Sequence, residues 1–383
     1  MCNQDKTPLL DAITEFIETK PAYFRIPGHR LEHGISSKWT DKVGKEVFAY
    51  DVTETPFTDD LHSPEGAIEE AQELLSELYH ADKSFFLVNG TTCGNEAMLL
   101  SAAFEGQEVM IARNAHKSAM MGLIMSGAKP VYVMPEILDE WGLQGGITSK
   151  QVRRTFEEHP KCRALFLVSP SYYGITSDLK AIADVCHEYG ALLLVDEAHG
   201  VGVFGRDGRG VCDHFGLTDE VDLIMGTFSK SFASLGGFVA ADSDTINWIR
   251  HTCRSYIFQA SCTPASAAAA LEALHIFQNE PERQENLWKI TNYALKQFKE
   301  AGFEIGDTES PIIPLYVRDA AKTFEVTKLA FDKGVFINPV IPPACAPQDT
   351  LVRVALMATH TREQVDRCVS ILVDSFKEAG VLK

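Results

Sequence analysis

No run of about 18 apolar residues occurs in this 383-residue chain, so nothing in it reads as a membrane span. The first residues, MCNQDKTPLLDAITEF, carry Asp and Lys ahead of any apolar run, unlike a secretory leader. The nine cysteines include no C-x-x-C pair and no Cys/His cluster at zinc spacing, which offers no metal candidate and no disulfide framework. Such scattered thiols suit a reducing cytoplasm, the expected location of a soluble chain of this kind. G-x-x-x-x-G-K-[ST] is also missing, which excludes the common nucleotide phosphate loop. Basic residues are in short supply: 35 Lys and Arg stand against 53 Asp and Glu, a formal charge of −18 with an isoelectric point near 5.1. That balance argues against nucleic acid or an anionic membrane surface as the main partner. A small anionic ligand remains possible, because a few backbone amides or basic side chains override the global field locally. No internal repeat or low-complexity tract is found.

Between about residues 84 and 242, short apolar runs alternate with helix-period segments. FFLV (85–88), EVMIA (108–112), PVYVM (130–134), ALFLV (164–168), ALLLVDEA (191–198), VDLIMGT (221–227) and GFVAAD (237–242) read as strands. LKAIADVCHEYG (179–190) has apolar residues at i, i+3 and i+4 and a terminating Gly190. This alternation predicts an α/β fold with a mostly parallel central sheet covered by helices. The last third differs. Helices at 265–277 and near 285–301 lead into strands PIIPLYV (311–317), GVFI (334–337) and LVRVALM (351–357), with helices near 320–333 and 361–379. The expected division is an irregular N-terminal arm over 1–45, a large α/β domain over 46–270 and a smaller α+β domain over 271–383.

Four short stretches carry candidate chemistry. In NGTTCGNEAMLL (89–100), a strand-to-helix junction with Thr91 and Thr92 offers free amides, hydroxyls and a helix dipole to a phosphate, although a plain threonine cap would look the same. In LLLVDEAHG (192–200), Asp196 ends a buried strand, where open α/β sheets bind ligands, and His199 follows three residues on. DEAH also occurs in helicase ATP-hydrolysis boxes, a reading that fails without a phosphate loop. In GTFSKSFASLGG (226–237), Lys230 stands alone among small residues, where desolvation can bring an amine towards the reactive range. In LVRVALMATHT (351–361), Arg353 is a lone charge in an apolar strand, fit either for a bidentate carboxylate or for a structural ion pair.

The conjunction is more specific than its parts. A phosphate nest, an aspartate 105 residues after Thr91, a lysine 34 residues after that and a carboxylate-binding arginine together describe a pyridoxal-phosphate site. The aspartate would keep the pyridine nitrogen protonated, the lysine would hold the aldehyde as an imine, and the arginine would hold an amino acid's carboxylate.

From about residue 190 onward the chain resembles the α-oxoamine synthases, the family of 8-amino-7-oxononanoate synthase, 2-amino-3-ketobutyrate ligase and serine palmitoyltransferase. LLLVDEAHGVGVFGRDGRG, VDLIMGTFSKSFASLGGFVA, YIFQASCTPASAAAALEAL, KGVFINPVIPP and RVALMATHT carry that resemblance. From about 24 to 190 it resembles the Orn/Lys/Arg decarboxylases, through FRIPGHR, DVTETPFTDDLHSPEGAIEEAQELL, FFLVNGTTCGNEAMLLSA, RNAHKSAMMGLIMSGA and PSYYGITSDL. Both families imply the fold-type-I, aminotransferase-like architecture and pyridoxal 5′-phosphate. The resemblance implies that Thr91, Thr92 and Thr227 cradle the phosphate and that His116 stacks on the pyridine ring. It implies that Asp196 pairs with the ring nitrogen, that His199 and Ser171 lie near its phenolic oxygen, and that Lys230 carries the cofactor and shuttles the α-proton. Arg353 would bind the substrate carboxylate. His29, Arg30 and His62 would line the entrance or serve as loop and cap residues.

The decarboxylases have histidine immediately before the reactive lysine, and this chain has Ser229. The expected activity is therefore decarboxylative condensation of a small amino acid with an acyl thioester, from acyl-CoA or a carrier protein, by a homodimer. Simple amino-acid decarboxylation is the alternative.

Overall fold

Apolar runs five residues long build one seven-stranded sheet. The computed structural model describes residues 3–31, 34–138, 141–255 and 262–382. In chain order the elements begin with α1 (Pro8–Glu18), α2 (Ser37–Val43), α3 (Glu46–Ala49), α4 (Ala67–Leu78), β1 (Lys83–Leu87), α5 (Gly90–Ala102), β2 (Glu108–Ala112), α6 (Lys117–Ser126) and β3 (Lys129–Val133). A small hairpin, β4 (Ile137–Leu138) and β5 (Leu143–Gln144), precedes α7 (Ser149–Glu158), β6 (Ala164–Val168), α8 (Leu179–Glu188) and β7 (Leu192–Asp196). Then come α9 (Val211–His214), β8 (Leu223–Thr227), β9 (Gly237–Ala241), α10 (Ser243–Thr252), α11 (Pro264–Asn279) and α12 (Pro281–Glu300). The chain closes with β10 (Ile312–Tyr316), α13 (Ala320–Asp332), β11 (Asn338–Val340), β12 (Leu351–Ala355) and α14 (Arg362–Glu378). The YIFQAS portion of the synthase-like segment (256–261) lies outside the described residues.

The large sheet has the order β1-β9-β8-β7-β6-β2-β3. Five strands pair in parallel, and β9 is antiparallel to both its neighbours, β8 and β1. β1 therefore runs in the same sense as the parallel set, and six carboxyl ends share one edge. Central strands such as β2, β6 and β7 are buried on both faces, which is why they read as continuous apolar runs. Each fully buried Leu or Phe in this core contributes roughly 1.5–3 kcal/mol.

The chain divides into two compact units. One comprises Met1–Val133, Ser149–Val168 and Leu179–Asn279, and the other Met134–Thr148, Ser169–Asp178 and Glu280–Lys383. This division differs from the 1–45, 46–270 and 271–383 reading. The N-terminal arm and α11 cluster with the first unit, while two short returns, 134–148 and 169–178, cluster with the second. These returns span 15 and 10 residues, and no composition shift marks them. The second unit is a three-stranded antiparallel sheet, β10-β12-β11, over a core that includes Phe298, Val326 and Phe376.

Two local readings need correction. The arm is not irregular throughout, because PLLDAITEFIE forms α1, with Pro8 at its start and Ile13 and Phe16 buried. GVFI (334–337) is not a strand. Gly334 has φ +93°, Phe336 is 83% exposed, and pairing with β12 begins only at Asn338.

Candidate active site

The carboxyl ends of the parallel strands bring together residues from four separate connections. α5 starts directly after β1, and its cap residue Asn89 gives no side-chain hydrogen bond to the first turn. The amides of the turn that contains Thr91 and Thr92 are thus left for an anion. Thr227, the last residue of β8, is buried, and its Oγ1 lies 2.9 Å from Ser229 Oγ and accepts from the Ser229 amide at 3.2 Å. Lys230 follows on the exposed connection between β8 and β9. Gly236 closes that connection with φ +99°. A Cβ there would lie 2.9 Å from Leu87 O, so only glycine lets the connection approach the end of β1.

Asp196 ends β7 and is 2% exposed. Its Oδ1 accepts from the Ala198 amide at 2.9 Å, and its Oδ2 accepts from Asn95 Nδ2 at 2.9 Å. Asn95 also donates to Ser118 Oγ at 2.9 Å, and Ser118 Oγ lies 2.8 Å from His116 Nδ1. Burial pushes the Asp196 carboxyl above its ordinary range, and Asn95, the Ala198 amide, Lys230 and His116 pull it partly back. A carboxylate so desolvated calls for a cation directly against it. His116 caps α6. Burial lowers its pKa against the opposing pull of Asp196, with Lys230 and Lys117 lowering it further. At neutral pH the imidazole is therefore uncharged, and its exposed ring is suited to stacking on a planar heterocycle.

Thr91, Thr92, His116, Asp196, Thr227 and Lys230 thus belong to the first unit, as does His199 in the turn after β7. Ser171 and Arg353 belong to the second. Ser171 Oγ accepts from the Tyr173 and Ile175 amides, both at 3.3 Å, and organises its own turn. Arg353 sits on the central strand β12, with Pro314 and Asn338 opposite on its neighbours. Its guanidinium lies 4.3 Å over the Tyr172 ring, and its buried Nε has no hydrogen-bond partner among the described residues. No described carboxylate pairs with it, so the structural ion pair that the sequence left open is not formed.

Three contributors escaped the sequence reading. Asn95 and Ser118 stand inside quoted motifs, yet only the packing of α5 on α6 shows what they hold. The third is Glu197, which is fully buried and accepts from the Val211 and Cys212 amides, both at 2.6 Å. Gly210 makes room for it, since a Cβ there would fall 2.2 Å from Glu197 Oε2. Burial raises the Glu197 pKa to about 7, the amides opposing it and Asp196 adding to it. The folded protein therefore binds this proton more tightly than the unfolded chain, whose pKa is near 4.5. The resulting stability is present below pH 4.5 and is lost as pH rises through 7. Relative to Glu197→Gln, the wild-type protein should lose roughly 3 kcal/mol of unfolding free energy across that window. Parallel urea-unfolding curves for the two proteins against pH would contradict this assignment.

A cavity of about 600 Å³ in the first unit is walled by α1, α4 and α11 and reaches Phe228 and Phe232, two residues to either side of Lys230. None of the predicted site residues lines it.

Residues 7–204 match the family described as Orn/Lys/Arg decarboxylase, major domain. A serine palmitoyltransferase of Bacteroides ovatus is 72% identical over 212 residues, 55% of this chain and 54% of the relative. The chain thus matches that relative over about half its length. An 8-amino-7-oxononanoate synthase of Fervidobacterium nodosum is 31% identical over 315 residues, 82% of this chain and 77% of the relative. The chain belongs to the α-oxoamine synthase family. Its residues 7–204 belong equally to the decarboxylase major-domain family, so the mixed sequence resemblance stands. Among solved structures, serine palmitoyltransferase from S. paucimobilis with a bound PLP–myriocin aldimine superposes with a TM-score of 0.73 at 27% identity, over 82% of this chain and 77% of that one.

The architecture is that of the fold-type-I enzymes, and the cofactor of this family member is pyridoxal 5′-phosphate. The residues present fit it. The uncapped start of α5 suits the phosphate, and the desolvated Asp196 suits a protonated ring nitrogen. Among the described residues no helix is long and apolar enough to cross a membrane.

Proposed function

We propose that this protein condenses a small amino acid with an acyl thioester, releasing carbon dioxide, a free thiol and an α-amino ketone. The observation that carries the reading is the long stretch shared at 72% identity with a serine palmitoyltransferase, which makes serine and a palmitoyl thioester the first substrates to test. Ser229 supports it, since its hydroxyl is occupied by Thr227 at the position where the decarboxylases carry histidine. Phe228 and Phe232 support it as well, because the apolar cavity they line can take an aliphatic chain out of water at about 0.8 kcal/mol per methylene.

When bound, pyridoxal phosphate supplies an electron sink for charge developing at the amino acid's α-carbon. The protein does the rest. Thr91, Thr92, Thr227 and the first turn of α5 would hold the phosphate. Asp196, fixed by Asn95 and the Ala198 amide, would keep the ring nitrogen protonated, and His116 would stack on the ring. Ser171 and His199 would steady the phenolic oxygen. Lys230 Nζ takes the α-proton and later returns one, and Arg353 takes the carboxylate. The enzyme acts as a homodimer in the cytoplasm, with CoA or a carrier protein presenting the acyl group.

The match of residues 7–204 to the decarboxylase family favours one second reading, release of an amine from the amino acid alone. Incubating the holoenzyme with glycine, alanine or serine, with and without palmitoyl-CoA, separates the two. Acyl transfer gives one thiol and one carbon dioxide per ketone, and no carbon dioxide without the thioester. Stoichiometric amine in the absence of thioester would overturn the proposal.

A further inference from the structure

Arg353 is a cation whose protein contacts leave work undone. β12 alternates, with Val352 and Val354 in the helix-covered core of the second unit, while Leu351 packs with Tyr173 on the opposite side. Arg353 shares the parity of Leu351 and so faces the segment 169–178. Burial lowers its pKa, which contact with Tyr172 counters. Its Nε is buried without a partner, no described carboxylate pairs with it, and the neighbours that favour its charge are Tyr172, whose ring lies 4.3 Å below the guanidinium, and Tyr173. A guanidinium stacked this way, with no carboxylate against it, keeps donors of its hydrogen-bonding fork for one.

The ring that covers it is held in turn. Ser171 Oγ accepts two amides of its own turn, Ser171 N donates to Ile175 O at 2.8 Å, and Gly174 N donates to Ser171 O at 2.9 Å. Tyr173 packs edge-on against Tyr172 with ring centroids 5.5 Å apart. Its hydroxyl donates to Ala344 O at 3.1 Å, which ties the turn to the stretch that precedes β12. Tyr172 itself is 41% exposed, more than a tyrosine kept only to fill a core. It also belongs to PSYYGITSDL, inside the region matching the decarboxylase family, whereas Arg353 lies beyond that region.

We propose that Tyr172 is the positioning residue of the carboxylate grip: its ring fixes the plane of the Arg353 guanidinium so that the fork meets the amino acid's carboxylate. One half of the mixed chain thus supplies the cation and the other half the surface that aims it. The inference rests on the reading of Arg353 as the carboxylate-binding residue.

The test compares serine with ethanolamine, the same molecule without its carboxylate, as ligands of the pyridoxal-phosphate holoenzyme, titrated by visible absorbance. Tyr172→Leu should weaken serine binding about tenfold, within the range of a partly desolvated cation–π contact, and leave ethanolamine within about twofold. Tyr172→Phe keeps the ring and should bind both within about twofold of wild type. In an Arg353→Met background, Tyr172→Leu should add nothing further. Equal weakening of both ligands, a Phe variant as impaired as Leu, or additive losses in the Arg353→Met background would each overturn the proposal. So would a wild-type enzyme that binds serine no better than ethanolamine. Failure to form ketone with any thioester would instead defeat the acyl-transfer reading and leave this comparison decisive.

Discussion

Lys230→Ala should lower turnover by at least about 10²–10⁴, the usual worth of a positioned acid–base group, and should abolish the visible absorption of the cofactor–lysine linkage. The structure adds a readout that needs no cofactor. The Lys230 charge lowers the pKa of His116 and opposes the upward shift of Asp196. In the apoprotein, alanine at 230 should therefore raise the His116 pKa towards its ordinary value, a change visible by NMR titration. Lys230 is exposed, so the fold should survive the substitution and the melting temperature should move little. A variant that kept the linkage absorption would show that another amine holds the cofactor.

Asp196→Asn is the second large effect, and its two consequences point in opposite directions. The asparagine carbonyl can still accept from the Ala198 amide, and its amide group can meet Asn95 once Asn95 turns to present Oδ1, an atom now buried without a partner. The turned Asn95 can in addition accept from the Ser118 hydroxyl. Local geometry should therefore persist, while the negative charge proposed to keep the cofactor ring protonated is gone. Turnover should fall about 10²–10³-fold, in line with loss of one preorganised electrostatic contact. Stability of the apoprotein at neutral pH should not fall, because the substitution removes a desolvated carboxylate whose pKa the fold already raises. Equal losses of turnover and apoprotein stability would mean that Asp196 is a structural cap.

The sequence showed the sheet because buried parallel strands must be apolar at nearly every position, and runs such as ALFLV have few other uses. It singled out Asp196 and Lys230 as candidates because strand ends are where such folds place chemistry. GVFI misled because an apolar run of four carries no information about pairing, and there the chain pairs with β12 only from the next residue, Asn338. α1 was hidden by the prolines that follow it, although Leu9, Leu10, Ile13, Phe16 and Ile17 keep a helical spacing. Asn95, Ser118 and Glu197 were illegible for a different reason. Their partners lie 101, 2 and 14 or 15 residues away, and a side-chain hydrogen bond leaves no periodic trace in sequence. Arg353 was visible as an oddity, but its aromatic partner, 181 residues earlier, was not.

The antiparallel strand β9 has a consequence for how Lys230 comes to be placed. Asp196, His116 and the start of α5 reach the sheet edge only after long crossover connections close. Lys230 instead sits in a nine-residue link, 228–236, between strands paired directly through Gly226 with Phe238 and Thr227 with Gly237. Closing so short a loop costs little chain entropy and needs no distant segment. The lysine is thus set by the most local pairing in the sheet, and the remainder of the site has to assemble around it.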